Sequence, residues 1–183
     1  FHALSSAITD KFNDKVMVRE MEIREDEIDL IPVYIKNPKI LKPFEVFLNI
    51  MPPPKYSSVD PTPYLALFFP TFFGLILGDI GYGSVLFALS LYLKRRFRGR
   101  DYLYNLASVF VISSLFAIVF GILFGEFFGD LGERLGLLHP IIFNRLKAMK
   151  VFLILAIGIG IGHIALGFMI AIVNYIHRGK GKE

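Results

Sequence analysis

Four side chains could do chemistry inside otherwise apolar stretches of this sequence: Asp79, Glu126, His163 and Asn174. Asp79 is the single charge in residues 64–93. An aspartate at the centre of a bilayer costs about 2.5–3.5 kcal/mol, so it needs a reason to be there. One reason is an acid lining an ion path; the other is a carboxylate at a turn, satisfied by water and backbone N–H groups. Glu126 closes the uncharged run 103–125. It either gathers or releases ions at the mouth of a path or rests at an interface in contact with water. His163 lies midway along 151–176, where an imidazole can relay protons near neutral pH or hydrogen-bond to a neighbouring helix as a neutral ring. Steps of three and four join Gly160, His163, Gly167, Ala171 and Asn174 in one stripe of small and polar side chains, which should face other helices.

Other chemistries are excluded. No second histidine or carboxylate stands three or four positions from His163, so no metal is expected there. Cysteine is absent, which removes disulfides, thiolate metal sites and cysteine nucleophiles. The glycines 158, 160 and 162 imitate a phosphate loop, but they sit within an apolar run with no strand before them. No catalytic residue and no cofactor is expected.

The elements that must position these residues follow from the composition. Of 183 residues 54% are apolar and only 20% charged, with mean hydropathy +0.56. Soluble domains are nearer 45–50% apolar with about a quarter charged, so an ordinary globular protein is ruled out. Crossing roughly 30 Å of hydrocarbon takes about 20 apolar residues in a helix. Runs 103–125 and 151–176 meet that as single spans. Run 64–93 is open to two readings: one helix of about 45 Å, or two short helices joined at Gly78, Asp79, Ile80, Gly81, Tyr82 and Gly83, where glycine permits a turn. Gly121, Gly125 and Gly129 recur at intervals of four, which lets helix backbones approach closely; Ala107, Ser114 and Ala117 share that face.

Charge supplies the topology. Lys94, Arg95, Arg96, Arg98 and Arg100 follow the first run, and Arg178, Lys180 and Lys182 follow the last, so both ends of 103–176 are expected on the cytoplasmic side. The sequence pI near 9.3 reflects these basic loops rather than a nucleic-acid surface, and no nucleic-acid partner is expected. The 94–100 loop can also attract anionic lipid head groups, although orientation already explains it. Residues 144–149 suggest a short interfacial helix. Before the runs, 1–12 suggests the tail of an amphipathic helix, while 16–23 and 28–35 suggest strands. Seven prolines between 38 and 63 then argue against regular structure. No internal repeat or signal-peptide pattern is present, and without an initial Met the sequence reads as a piece of a longer polypeptide.

Several strings in order carry a family resemblance. Asn37-Pro38-Lys39 and Pro43-Phe44-Glu45 precede Pro54-Lys55-Tyr56 and Asp60-Pro61-Thr62-Pro63, which lead into FFPTFFGLILGDIGYG at 68–83. FGILFGEFFG at 120–129 and GIGHIALGF at 160–168 follow. Together they resemble the a/I subunit of V-type and A-type rotary ATPases over about residues 32–177. The resemblance implies a membrane stator facing a ring of proteolipid c/K subunits, with two offset half-channels for protons or sodium. It implies peripheral-stalk, central-stalk and connecting subunits as further partners, besides membrane lipid. It also resolves run 64–93 as a helical hairpin turning at Gly78, Gly81 and Gly83. The family's translocating arginine, in a later helix, has no counterpart within these apolar runs.

The expected architecture is a mainly α membrane protein. Residues 1–35 would end a cytoplasmic α/β arm, and 36–63 would form a Pro-rich connector. A membrane domain over 64–177 would hold helices at about 64–77, 82–94, 102–125 and 150–177, before a tail at 178–183. The expected setting is a prokaryotic cell membrane, crossed several times, with both termini cytoplasmic. The competing readings are a secondary transporter, for which the 78–83 break would be the binding site, and a passive assembly scaffold.

Overall fold

The computed structural model describes residues 35–50, 59–145 and 147–179, together with Ile8, Lys11, Phe12 and Val16, and side chains as far as Ile176. The chain divides into two units, 1–32 and 33–183, and the helices from Lys42 onward belong to the second. The expected strands at 16–23 and 28–35, and with them the α/β arm, lie outside the described residues, except Val16 and Ile35, which are in no regular element. Ile8, Lys11 and Phe12 are helical. Among the described residues every regular element is a helix.

A 3-10 helix over Lys42–Asn49 comes first, contrary to the unstructured connector expected from proline density. Pro43 sits in its first turn, where a fixed φ and a missing N–H are both tolerated. Its Phe44 and Val46 are buried and join Val109 in the core, flanked by Phe47, Ala66, Phe69, Leu106 and Ile112. Burial of that apolar surface outweighs the weak intrinsic preference of the segment.

Helix α1 spans Thr62–Leu77 and α2 spans Ile80–Arg96, so run 64–93 is two helices. The break is tighter than the glycines suggest: Gly78 takes left-handed angles (φ 39°, ψ 50°) and Asp79 is extended, while Gly81 and Gly83 already lie inside α2. Helix α3 spans Asp101–Phe124, α4 is a single turn at Leu131–Arg134, and α5 spans Met149–Gly179. The interfacial helix expected over 144–149 is not formed at 144, 145, 147 and 148, which make turns and loop.

α3 is the central element, packed against both hairpin arms and the 3-10 helix. It can serve so many neighbours because most of its buried residues are small: Ala107, Ser108, Ser113, Ser114, Ala117 and Gly121, beside Val109 and Phe124. Ser113 and Ser114 are fully buried, yet their hydroxyls donate to Val109 and Val111 carbonyls of the same helix, at 2.9 Å each. That leaves short side chains with no unmet polarity, and neighbouring backbones can come close. A Cβ at Gly74 of α1 would lie 2.8 Å from Phe116, and one at Gly83 of α2 would lie 2.9 Å from Ile118.

α5 is different. Its most apolar window has mean hydropathy 2.4 and none of it is buried, whereas 39% of the corresponding α3 window is buried. By length and composition these two helices are long and apolar enough to cross a membrane. α1 and α2, at 16 and 17 residues, are shorter.

Candidate functional site

The end of the hairpin is closed by the loop after α3, and the closure centres on Asp79. Asp79 is 2% exposed and forms the N-cap of α2, its Oδ1 accepting from the Tyr82 N–H at 2.9 Å. The same oxygen accepts from the Phe128 N–H at 3.0 Å, and Oδ2 accepts from the Gly129 N–H at 2.6 Å. Two successive backbone donors thus form a concave anion site, reinforced by the positive end of α2. The loop adopts an uncommon conformation to do this. Phe128 has φ 45°, the one positive value for a non-glycine among the described residues, and Gly129 follows at 74°. A left-handed Phe costs roughly 1–2 kcal/mol. Its ring is held over Gly81 and edge-on to Tyr82, with centroids 5.1 Å apart.

Glu126 is pinned a few residues away. Its carbonyl accepts from the Ile80 N–H at 3.0 Å, tying the loop to the first turn of α2. Its carboxylate faces Arg145: Nε donates to Oε1 at 2.8 Å and Nη2 donates to Oε2. The two side chains are only 10% and 15% exposed. Arg145 also donates to the carbonyls that end α1: Nη1 to Leu75 and Ile76 at 3.1 and 3.0 Å, and Nη2 to Leu77 and, at 3.5 Å, Gly78. A helix C-terminus carries unpaired carbonyls and partial negative charge, both of which a guanidinium satisfies. Phe124 and Phe152 lie 5.0 and 5.5 Å from its central carbon and screen it from solvent. Arg145 therefore joins the end of α1, the loop carboxylate and the start of α5.

The glycines have distinct roles. Gly121 meets the backbone of Asp79 and Ile80, and Gly125 ends α3 with φ 70° against Pro140. Gly129 has nothing within 4 Å of a would-be Cβ, so it contributes a donor and a backbone angle rather than helix packing. Asp79, Glu126, Gly78, Gly81, Gly121, Gly125 and Gly129 thus meet at the hairpin end, while Gly83 packs one turn further along α2. His163 and Asn174 lie elsewhere. His163 is exposed apart from edge contacts with Phe68 and Phe72, at centroid distances of 4.5 and 5.1 Å. Asn174 Oδ1 accepts from the Val59 N–H at 3.0 Å. Sequence reasoning missed Arg145 and Phe128. The signal for Arg145 was a carboxylate at the end of an uncharged span, which calls for a cation nearby in the following loop.

Chemically, both carboxylates are occupied by N–H donors. Neither is arranged as a metal ligand, and among the described residues no group of three or more His, Asp or Glu could hold a metal ion. The arrangement is a charged latch inside an apolar helical chain, which makes this a helical protein whose polar residues fasten one hairpin end.

The family follows from comparison. Residues 2–133 match the model of the V-type ATPase 116kDa subunit family, and the chain belongs to that family. It is 34% identical over 170 residues to the A-type ATP synthase subunit I of Pyrococcus abyssi, covering 92% of this chain and 26% of that protein. To the subunit of the same name from Archaeoglobus fulgidus it is 36% identical over 176 residues, covering 84% of this chain and 26% of the relative. A shorter match, 32% over 78 residues, links it to the V-type ATP synthase subunit I 2 of Treponema pallidum, covering 43% of this chain and 17% of that protein. The chain spans about a quarter of the length of the A-type relatives it matches over most of its own length.

Proposed function

We propose that this chain is the membrane-entry part of the stator subunit, a or I, of a V/A-type rotary ATPase. α1 and α2 form a short hairpin in the bilayer, α3 and α5 cross it, and both termini face the cytoplasm of a prokaryotic cell. The segment contributes to the wall of the sector through which protons or sodium ions move, coupled to ATP synthesis or hydrolysis on other subunits. Its partners are the proteolipid ring, the peripheral and central stalks with their connecting subunits, and lipid.

The observation that carries this reading is α5. An apolar helix of this length with no buried residue in its most apolar window needs lipid or further helices around it. In the membrane sector proposed here for this V-type ATPase family member, both would be at hand. The occupied state of Asp79 supports the role of an anchor over that of a transported-ion site, which weakens the transporter reading. Affinity purification of the full-length subunit from solubilised membranes should bring down the proteolipid ring and stalk subunits. Its depletion should abolish ATP-driven ion uptake by inverted vesicles. A subunit that purifies alone, and whose loss leaves uptake intact, overturns the proposal.

A further inference from the structure

α2 and α3 touch closely at one end and part at the other. Near the hairpin end Gly83 and Gly121 allow contact with the opposite backbone. Towards the basic loop the facing positions are mostly leucine, with the small Ser90 and Ala107 between them, and they leave a space unfilled. The result is an apolar groove of about 240 Å³ running from Leu86 of α2 to Phe97 at its C-cap, with Leu103 and Phe110 on the α3 side. Eleven residue steps span about 16 Å of helix, close to half the roughly 30 Å hydrocarbon thickness and so to the depth of one leaflet. A volume this small over that length suits a hydrocarbon chain and not another helix, which is about 10–12 Å across.

The mouth of the groove is positively charged. Leu93 and Phe97, which line it, alternate with Lys94, Arg95, Arg96 and Arg98. Lys94 Nζ stands 5.2 Å from the Tyr104 ring centroid, which brings this ammonium to the first turn of α3 beside Leu103. Arg95, Arg96 and Arg98 are exposed and form no ion pair among the described residues. We infer that the groove between α2 and α3 is a binding site for one anionic phospholipid, its acyl chain along Leu86–Phe97 and its phosphate at the Lys94–Arg98 cluster. The inference rests on the membrane placement proposed above.

The chain has no tryptophan, so a single one reports its own surroundings. Leu89→Trp places a fluorophore on the groove wall at a half-exposed position, and Ile164→Trp places one on the exposed surface of α5. The full chain is incorporated into phosphatidylcholine vesicles carrying an equal minor share of brominated phosphatidylglycerol or brominated phosphatidylcholine. Leu89→Trp should be quenched several-fold more by the anionic lipid, and Ile164→Trp equally by both. Adding Arg95→Gln, Arg96→Gln and Arg98→Gln to Leu89→Trp should erase the preference, at roughly fivefold in affinity per basic residue removed. Equal quenching at position 89, or a preference that survives the three substitutions, overturns the lipid site while leaving the membrane placement standing. Absence of quenching at both positions overturns the membrane placement itself.

Discussion

Gly121 of α3 presses directly on the backbone of Asp79: a Cβ at position 121 would stand 2.6 Å from the Asp79 carbonyl carbon and 2.5 Å from the Ile80 nitrogen. Backbone cannot move aside as a flexible side chain can. The hairpin end and the central helix are therefore fitted at a point that only glycine allows.

Gly121→Ala should destabilise the chain by about 1–3 kcal/mol, the usual cost of overpacking a close contact. Thermal unfolding in detergent measures it. Gly160→Ala on α5 is the control, because nothing lies within 4 Å of its Cβ. Alanine is the better helix former by about 1 kcal/mol, so stability there should be unchanged or higher. Equal losses at the two glycines would remove the close-approach argument.

Asp79→Ala leaves three backbone N–H groups without their acceptor, those of Tyr82, Phe128 and Gly129. Leaving buried donors unpaired costs about 1–3 kcal/mol each where water cannot reach them. A total loss of about 3 kcal/mol is expected, with faster amide exchange at Phe128 and Gly129. Asp79→Asn keeps an acceptor oxygen and should recover part of that loss. If Asp79→Ala leaves exchange at those two amides unchanged, the carboxylate is not what holds the loop.

The helical character of the chain is legible in its sequence, because long uncharged runs leave few other structures available. Whether 64–93 was one helix or two was not legible from periodicity, since both hairpin arms are apolar on most faces. The structure breaks at Gly78 and Asp79, where a left-handed glycine and an N-capping aspartate coincide. Asp79 and Glu126 stood out as charges in apolar sequence, but their partners did not. Those partners are backbone donors at Phe128 and Gly129, which no residue type announces, and Arg145, which is 19 positions from Glu126. The 3-10 helix at Lys42–Asn49 was obscured by proline density, which describes backbone restriction and not the burial of Phe44 and Val46.

The ion pair of Glu126 and Arg145 should show strong coupling. Both side chains are largely buried, so removing one partner strands the other at a cost of about 3–5 kcal/mol. Arg145→Gln should be the worse single substitution, because it also strips the carbonyls ending α1. In a double-mutant cycle with Glu126→Gln, the combined loss should fall short of the sum by more than about 1 kcal/mol. Lys147 with Glu133 is the comparison. There Lys147 is 72% exposed, and neutralising it should cost less than about 1 kcal/mol. Additive effects at Glu126 and Arg145 would mean that the two residues act separately.

The path of α3 fixes which loops share a side of the bilayer. If α3 crosses the bilayer, the Arg98 turn before it and the Leu137 loop after it lie on opposite sides, with the hairpin end on the Leu137 side because Asp79 binds Phe128 and Gly129. The absence of native cysteine makes single-cysteine labelling clean. Arg98 and Leu137 are both exposed, so Arg98→Cys and Leu137→Cys should preserve the fold. In sealed right-side-out vesicles a membrane-impermeant maleimide should modify Leu137→Cys and spare Arg98→Cys, and inverted vesicles should reverse the pattern. The basic cluster at 94–100 sets that direction, since positively charged loops are retained on the cytoplasmic side. Labelling of both positions from the same side would place α3 outside a single crossing and remove the membrane arrangement proposed for the hairpin.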